Sequence, residues 1–369
     1  MPEHTRHAWT ARVRRQLTAT AAAAGIAVAA VVAAGPAQAA VPQYKLTLSP
    51  TVNTQYTAIN NNGDIIGEGP RAGTGTTAPF LLTTRSSTPL PLDVPANQTG
   101  SAFATAEALN NADTVVGESD NGNFTALKWP DSSTPTNLQA TLPGLSSRFF
   151  QTQATDINDN GLIVGFGEGP GTRGDTTIGF TIQGSTVTLL PELPNGGVDS
   201  HPIAVNAAGT TIVGDADDRT RSGVPVEWVN GAIKELPFLP GSTTIAKALG
   251  VNNAGQAVGA DTLESDLDAH AVLWSNGTVT DLHFGAGGDA QAKSINTAGV
   301  VVGDGGVAEG GGHAFIYRNG VATDLNTLIP AGSGVTLDTA SSINDHGVIV
   351  GTALNARGLT LGFKLTPVQ

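Results

Sequence analysis

Apolar residues in this chain occur in short runs separated by polar residues and glycine, and one arrangement of these runs recurs. Its marker reads apolar-Asn-x-x-Gly-x-x-apolar-Gly, as in Val251-Asn252 with Gly255 and Gly259. Seven copies follow one another at intervals of 44 to 50 residues, with their asparagines at Asn60, Asn110, Asn158, Asn206, Asn252, Asn296 and Asn344. A regular period of this size is the signature of a repeat architecture.

Each repeat contains four short apolar segments, which predicts four β-strands. The third segment ends in an aromatic residue such as Trp274, and a fourth follows after Asn276-Gly277. Asn-Gly between alternating apolar residues predicts a hairpin, because both residues accept a positive φ. We interpret Asn-x-x-Gly as the turn between the first two strands, with its glycine in the left-handed conformation. Asp113 replaces that glycine once and is a side chain that tolerates the same conformation.

Four strands in about 47 residues favour the blade of a β-propeller over the shorter rung of a β-helix. The segment 44–48 resembles the fourth strand of a repeat, whereas the last repeat stops after its third strand, near Leu365. We therefore predict an all-β fold, a seven-bladed β-propeller of four-stranded blades. The ring is expected to close by pairing of strand 44–48 with the C-terminal blade, which removes the exposed sheet edges. The three repeat tryptophans share one position and are expected to pack between blades.

Three steps of the repeat carry a resemblance to a known family. They are His313-Ala314-Phe315, the Ile-Asn-x-x-Gly-x-Val-Val-Gly step at 295–303, and an Asp-Leu step in the fourth strand. Together they resemble the bacterial extracellular HAF-repeat family, over residues 44–369. Only His270 and His313 keep the histidine that gives the repeat its name, so the resemblance is to the repeat pattern. It implies a secreted repeat protein and brings no catalytic residues.

The N-terminal segment has the organisation of an export signal. Basic residues precede an apolar run at 19–34, and Pro36-Ala37-Gln38-Ala39 supplies the small residues of a cleavage site. We expect residues 1–39 to be a cleaved signal peptide, and residues 40–369 to form a single secreted propeller domain. Arg14-Arg15 is compatible with twin-arginine export as well as with the general Sec route. No second apolar stretch of about twenty residues follows, so no membrane span is expected.

Charge and composition limit the kinds of partner that the protein can bind. The chain has 18 Lys and Arg against 31 Asp and Glu, and the leader holds four of the basic residues but one acid. This excess of acid argues against a nucleic-acid partner. The absence of Cys excludes disulfides, thiolate metal sites and cysteine nucleophiles. We expect a monomer that binds an extracellular ligand or protein.

The loops between the second and third strands vary in length and collect acidic residues. In a propeller these loops share one face with the connections between blades, and function is concentrated on variable loops. We predict that this acidic face binds the ligand, although acids that merely keep the surface soluble are the alternative interpretation. The candidate ligand-face residues are Asp215, Asp217, Asp218, Asp261, Glu264, Asp266 and Asp268.

One turn resembles the start of a calcium-binding loop. Asp156, Asn158 and Asn160 have the right spacing, but the twelfth position, which should supply two oxygens, is Gly167, and Glu168 comes one residue late. These three residues are the calcium candidates, with an ordinary turn as the alternative. No other cofactor is expected.

No serine-hydrolase elbow or zinc-protease motif occurs, so no catalytic residue is predicted and a non-catalytic binding scaffold is favoured. The alternative is a propeller lyase or hydrolase with its site at the mouth of the central channel. If the first strand is innermost, the polar residues five positions before each motif asparagine ring that mouth. Among them His201 and Lys247 are the candidate acid-base groups, together with Glu107 or Lys293 nearby.

Overall fold

The computed structural model describes residues 43–71, 76–95, 103–130, 133–171, 174–194, 197, 199–285, 288–307 and 311–368. The predicted signal peptide lies outside the described residues. Within the described part of the chain, no helix is both long enough and apolar enough to cross a bilayer.

Short β-strands account for nearly all of the regular structure. The strands are β1 (Tyr44–Leu48), β2 (Gln55–Ile59), β3 (Ile65–Pro70), β4 (Thr77–Leu82), β5 (Leu90–Pro91), β6 (Phe103–Leu109), β7 (Thr114–Asp120), β8 (Phe124–Pro130), β9 (Thr136–Asn137), β10 (Gln151–Ile157), β11 (Ile163–Gly171), β12 (Gly174–Gln183), β13 (Thr186–Leu189), β14 (Ser200–Val205), β15 (Thr211–Ala216), β16 (Val224–Val229), β17 (Ala232–Glu235), β18 (Ser242–Val251), β19 (Ala257–Leu263), β20 (Ala269–Ser275), β21 (Thr278–Asp281), β22 (Ala290–Ile295), β23 (Val301–Gly306), β24 (Gly312–Arg318), β25 (Val321–Asp324), β26 (Val335–Ile343), β27 (Ile349–Asn355) and β28 (Thr360–Pro367). Two four-residue helices, α1 (Leu138–Thr141) and α2 (Pro143–Ser146), and a 3₁₀ turn at Leu325–Thr327 lie in connections between blades.

The strands form seven four-stranded antiparallel sheets, and each sheet is one blade. Blades 1 to 6 take four consecutive strands each, from β2-β3-β4-β5 to β22-β23-β24-β25. Blade 7 combines β26, β27 and β28 with β1, so that Tyr44 pairs with Pro367 and Leu48 with Phe363. The predicted seven-bladed propeller, and its closure by the N-terminal strand, are confirmed.

The hydrophobic core lies between blades rather than inside any one of them. The described residues contain seven buried apolar clusters, one at each interface between neighbouring blades. At the interface of blades 4 and 5, Trp274 packs against Leu236, and its indole N–H donates to the carbonyl of Pro237 at 2.7 Å. The other two repeat indoles make the same bond, Trp129 to Asp93 and Trp228 to Pro191. The tryptophans therefore pack between blades, as predicted.

The motif turn has the predicted geometry. In blade 5, Oδ1 of Asn252 accepts the backbone N–H groups of Ala254 and Gln256 at 3.0 and 3.1 Å. Gly255 has a φ of 71°, and Asp113, its counterpart in blade 2, has a φ of 58°. The short amide side chain therefore closes the turn, and the left-handed position is occupied as the sequence indicates.

The last glycine of the motif is required for a different reason, the close approach of two strands. A Cβ added to Gly259 would lie 1.9 Å from the carbonyl oxygen of Lys247, on the innermost strand. The same contact, at 1.9 to 2.1 Å, arises at the equivalent glycine of every blade. It occurs beside a β-bulge in the first strand, where the register shifts between Ala248 and Gly250. Any side chain here would displace the innermost strand.

The motif asparagines also connect neighbouring blades. Nδ2 of Asn296 donates to the carbonyl of Asn344 at 3.2 Å, and Asn344 donates to the carbonyl of Asn60 at 3.0 Å, which joins blade 7 to blade 1. The same bond runs from Asn60 to Asn110, Asn110 to Asn158, Asn158 to Asn206 and Asn252 to Asn296. We call these seven buried side chains the asparagine ring.

The asparagine ring is interrupted once, between blades 4 and 5. Nδ2 of Asn206 donates to the hydroxyl of Thr210, in its own turn, at 3.2 Å. This turn is one residue longer than the others, so the hydroxyl lies where it can take the bond. Asn206 therefore closes its turn without reaching the next blade.

The substitution Asn296→Asp tests the bond between blades. It keeps the oxygen that closes the turn but places a second oxygen against the carbonyl of Asn344. We expect the free energy of unfolding to fall by about 2 kcal/mol or more, because a buried bond is lost and an unpaired carboxylate oxygen is buried. Urea unfolding followed by tryptophan fluorescence measures the change.

Asn206→Asp is the matched control, because the Thr210 hydroxyl can donate to the new oxygen. We expect a smaller loss of stability, and adding Thr210→Val should remove that advantage. Equal losses in the Asn206 and Asn296 variants would show that the bond between blades contributes nothing measurable.

Candidate functional site

The two ends of the central channel are built differently. At one end, the asparagine face, seven similar turns surround a cavity of about 180 Å³ lined by the apolar-Asn step of six repeats and by Val205 and Ala207 of blade 4. The other end, the variable-loop face, carries the blade connections and the loops between second and third strands. By the strand bounds, those loops range from two residues between β11 and β12 to seven between β15 and β16. Differences between repeats are therefore concentrated at the variable-loop face.

Two of the predicted ligand-face acids are buried. The carboxylate of Asp261 accepts the N–H of Leu239 at 2.6 Å and the hydroxyl of Ser242, and its burial raises its pKa. Asp215 is 4% exposed and is covered in part by His201. Both belong to strands, β19 and β15, whose side chains pack against neighbours, whereas the prediction assigned them to loops. The expectation that these two acids lie in exposed loops is wrong, whereas their part in ligand binding stays a prediction.

Two further acids stabilise their own loop. Asp217 accepts the N–H of Gly223 at 2.9 Å. Asp218 accepts the N–H of Thr220 at 2.7 Å and pairs with the guanidinium of Arg221 at 2.6 Å. These bonds, the one from Thr220 first, lower the pKa of Asp218. The carboxylates of blade 4 therefore hold the loop between β15 and β16 in shape.

The acids of blade 5 remain accessible. Glu264 and Asp266 are exposed, and Asp268 is half-buried. Asp268 accepts the N–H of Gly288 at 2.8 Å, and Asp266 lies 3.4 Å from Nε2 of His270. Asp266 and Asp268, but not Glu264, border a cavity of about 300 Å³ together with residues of blade 6. The predicted acidic face is thus reduced to one patch at blade 5.

The calcium candidates have structural contacts of their own. The two carboxylate oxygens of Asp156 accept the N–H groups of Val205 and Ile157, at 2.8 and 2.7 Å. Oδ1 of Asn158 accepts the N–H of Asn160 at 3.0 Å and thereby closes the motif turn. Backbone N–H groups therefore bond the side-chain oxygens of Asp156 and Asn158 that a cation would use. Within the described ranges, no three or more His, Asp and Glu side chains are grouped so that they could hold a metal ion.

Asp156 acts across the interface between blades 3 and 4. Ser294 occupies the equivalent position in blade 6, and its hydroxyl accepts the N–H of Ile343 in blade 7 at 3.3 Å. The Ser294 hydroxyl therefore accepts a backbone N–H between blades 6 and 7, as the Asp156 carboxylate does between blades 3 and 4. The carboxylate, unlike the hydroxyl, must be buried, and burial raises the pKa of Asp156 to about 6.

Asp156→Ser should keep the acceptor for Val205 and remove the buried charge. Since the raised pKa makes the folded state bind a proton more tightly, the wild-type free energy of unfolding should rise as pH falls from about 6 to about 4. The variant should lose this part of the pH dependence, as measured by urea unfolding. Asp156→Ala, which lacks an acceptor, should be less stable than Asp156→Ser. If calcium stabilised the wild type but not Asp156→Ser, a cation site would replace this account.

Three titratable side chains meet at the variable-loop end of the channel. His201, on the innermost strand β14, lies opposite Asp215 of β15, and its Nδ1 is 3.2 Å from Oδ2 of Asp215. Lys247 occupies the same repeat position on β18 of blade 5, and its Nζ is 3.8 Å from the other oxygen, Oδ1. We call His201, Asp215 and Lys247 the channel-mouth cluster.

Hydrogen bonding within this cluster leaves one carboxylate oxygen unsatisfied. Oδ1 of Asp215 has no hydrogen-bond partner, although the side chain is only 5% exposed. Its ion pair with Lys247, at 3.8 Å, is too long for a hydrogen bond, and a buried oxygen without one costs free energy. The hydrogen bond to Asp215 raises the pKa of His201. Phe166 of blade 3 lies edge-on to the imidazole, with the ring centroids 5.0 Å apart.

The structure brings together two of the four residues of the enzyme alternative. His201 and Lys247 share Asp215, whereas Lys293 pairs with Asp304 at 3.0 Å in blade 6. Glu107 lies on blade 2, where it raises the pKa values of two other glutamates.

Sequence reasoning missed the role of Asp215, although a signal for it existed. In each of these blades, the residue that follows the last motif glycine lies on the second strand. It is paired with the first-strand residue five positions before the motif asparagine. The second-strand residue is acidic in four repeats, at Glu68, Glu118, Asp215 and Asp304.

The pairing of His201 with Asp215 predicts a measurable titration. Histidine NMR should place the pKa of His201 above about 6.5, and Asp215→Asn should lower it, because the largest cause of the shift is the bond to Asp215. His201→Gln assigns the resonance. Since the folded pKa is raised, the pair stabilises the fold most below about pH 6.5, and this contribution is lost as pH rises through the folded pKa. An unchanged pKa in Asp215→Asn would contradict the pairing.

Comparisons with known proteins identify the fold and no family. No protein-family model matches this sequence, and no curated protein matches it. Among solved structures, the β-propeller domain of the Trilobed protease from Pyrococcus furiosus is 10% identical, with a TM-score of 0.55 over 86% of this chain and 95% of that one. An oligogalacturonate lyase from Vibrio parahaemolyticus is 10% identical, with a TM-score of 0.52 over 88% and 97%. An oligogalacturonate lyase in complex with manganese is 11% identical, with a TM-score of 0.52 over 89% and 97%. At such identities the similarity supports the propeller fold alone.

Proposed function

We propose that this chain is an exported, non-catalytic propeller that binds an extracellular ligand at its variable-loop face. The observation that carries the proposal is the channel-mouth cluster, in which a buried oxygen of Asp215 lacks a hydrogen-bond donor beside His201 and Lys247. Export rests on the leader sequence, and kinship with HAF-repeat proteins rests on the repeat motif.

The contrast between the two faces supports this location. On the asparagine face, the side chains that follow the motif asparagines bond to each other, as Asn111 does to Asp159 at 2.7 Å and Asn61 to Asp345 at 2.9 Å. On the variable-loop face, apolar side chains stay exposed, among them Phe103, Phe150, Ile245 and Leu267. The side chains of the asparagine face are thus taken up by bonds to each other, and the variable-loop face is the one left to contact a partner.

An enzyme at the same place is the second candidate. His201 bonds a buried carboxylate through Nδ1 and has a raised pKa, so its Nε2 can exchange a proton with a substrate. Lys247 supplies a second polar group next to it. Two of the structurally similar proteins are lyases, but at 10 to 11% identity they contribute the fold only.

Thermal melting of the mature chain with a panel of neutral sugars, acidic sugars, amino acids and short peptides tests the proposal. A compound that binds the folded state raises the melting midpoint by mass action. We expect a binding compound to shift the wild type but neither His201→Gln nor Lys247→Met, because both side chains belong to the site.

Lys234→Met is the matched control, since Lys234 also pairs with a carboxylate, Glu227 at 3.1 Å, on the outer strands of blade 4. It should respond like the wild type. A shift that survives the channel variants but is lost in Asp266→Asn would move the site to the blade 5 patch. If no compound of the panel raises the melting midpoint of the wild type or of any variant, a small-ligand function is contradicted. Turnover of a bound compound, abolished in His201→Gln while binding persists, would favour the enzyme.

A further inference from the structure

The residue that follows the fourth strand of a blade fills the interface with the next blade. It is a buried leucine in six blades, at Leu92, Leu138, Leu190, Leu236, Leu282 and Leu325. In blade 7 the fourth strand is β1, and Leu48 pairs with Phe363, which lies opposite the last motif glycine, Gly351. Ser49 therefore occupies the leucine position, by the same register that places Leu236 after Glu235. The connection into blade 1 supplies a hydroxyl where the other connections supply leucine.

The third strand of blade 1 also has a smaller side chain at this interface. By register, Leu82 occupies the position that tryptophan holds in blades 2, 4 and 5. In those blades the indole N–H donates to the backbone carbonyl two residues after the preceding fourth strand, at 2.7 to 2.9 Å. At the interface of blades 7 and 1, the residue two positions after β1 is Pro50. Blade 1 therefore keeps the acceptor position but lacks the indole that bonds to it elsewhere.

In two other blades that lack the tryptophan, the connection between blades provides the missing bulk. Phe149 packs in the cluster that contains Ile182 of blade 3. Phe284 packs in the cluster that contains Tyr317 of blade 6. The connection into blade 1 has one large apolar residue, Val52, and it is 39% exposed. The cluster between blades 7 and 1 accordingly has only five buried residues, the fewest of the seven described.

An apolar cavity of about 250 Å³ lies at this interface. Tyr56 and Phe80 form part of its wall, with their rings edge to face and the centroids 6.2 Å apart. The two residues that are smaller than their counterparts, Ser49 and Leu82, line it together with Pro50. Exposed residues of the loop between β4 and β5 also line it, so a molecule can enter from solvent. Since an apolar cavity of about 150 Å³ already binds benzene, this one has room for a bicyclic ring.

We propose that this cavity, the blade 1 pocket, binds a free aromatic molecule of the indole class, planar and neutral, whose N–H donates to the carbonyl of Pro50. Its ring takes the place of the indole that blades 2, 4 and 5 supply from their own chain. Arg71, the one charged residue among the described lining residues, is paired with Asp93, which favours a neutral ligand. The pocket lies between blades 7 and 1, whereas the channel-mouth cluster belongs to blades 4 and 5, so this inference goes beyond the proposed function.

Indole itself is the probe, and indene is its matched control, because indene has the same two fused rings but no N–H. Calorimetric titration of the mature chain measures both dissociation constants. We expect one indole to bind per chain and indene to bind about tenfold more weakly, because indene fills the pocket but leaves the carbonyl of Pro50 without a donor.

Leu82→Trp fills the pocket with the side chain that the repeat uses elsewhere. We expect the melting midpoint to rise by about 2 °C or more, because apolar surface is buried and the carbonyl of Pro50 gains a donor. Indole binding should be lost, since the new side chain occupies its place. Scanning calorimetry and titration with indole measure the two effects.

Leu365→Trp is the matched control, the same change at the same repeat position of blade 7. Leu365 is fully buried and packs with Leu328 and Ile329, which leaves no space for a larger side chain. We expect its melting midpoint to fall, because overpacking displaces the neighbours, and indole binding to be retained. Lys247→Met, in the channel-mouth cluster, should also bind indole like the wild type, which separates this pocket from the site of the proposed function.

Four results would overturn the inference. If the wild type does not bind indole although Leu82→Trp raises the melting midpoint, the cavity is a packing defect without a ligand. If indene binds as tightly as indole, no donor reaches Pro50. If Leu82→Trp still binds indole, the compound occupies another site. If Leu82→Trp melts as low as Leu365→Trp, the cavity lacks the geometry of the repeat's tryptophan site. None of these results contradicts the proposed function, whose test uses His201 and Lys247.

Discussion

The hydrogen bonds of the motif asparagines are the constraint on which the rest of this propeller depends. One amide group does two things: its oxygen closes the turn between the first two strands, and its nitrogen reaches the carbonyl of the next blade. A blade cannot bury both of its faces alone, so stability comes from the interfaces between repeats. The bond from Asn344 to Asn60 and the pairing of β1 with β28 extend this rule across the ends of the chain.

The one interface that lacks the asparagine bond is also the one that carries the channel-mouth cluster. Between blades 4 and 5, Nδ2 of Asn206 donates to Thr210, and the same interface holds Asp215, one oxygen of which accepts no hydrogen bond and pairs with Lys247 at 3.8 Å. Close by on β18, the β-branched Thr244 has a φ of 68°, a conformation that costs free energy in such a residue. Departures from otherwise uniform repeat geometry are expected where function competes with stability.

The acidic loops show how sequence position and chemical availability differ. Their charges suggested a single negative face, yet the carboxylates of blade 4 close a loop and Asp261 caps a backbone N–H. An acid that accepts local N–H donors is no longer free to bind a partner.

The sequence by itself determined the repeat, the four strands, the left-handed glycines and the number of blades, because turn chemistry and alternation act over a few residues and recur seven times. It also located His201 and Lys247 at equivalent positions. Only the tertiary structure decided that Asp215 joins them, that the last glycine of each motif, such as Gly259, makes room for a carbonyl, and that the asparagines bond across blades. Those contacts join strands or blades, and their partners are fixed by register and ring closure rather than by local preference.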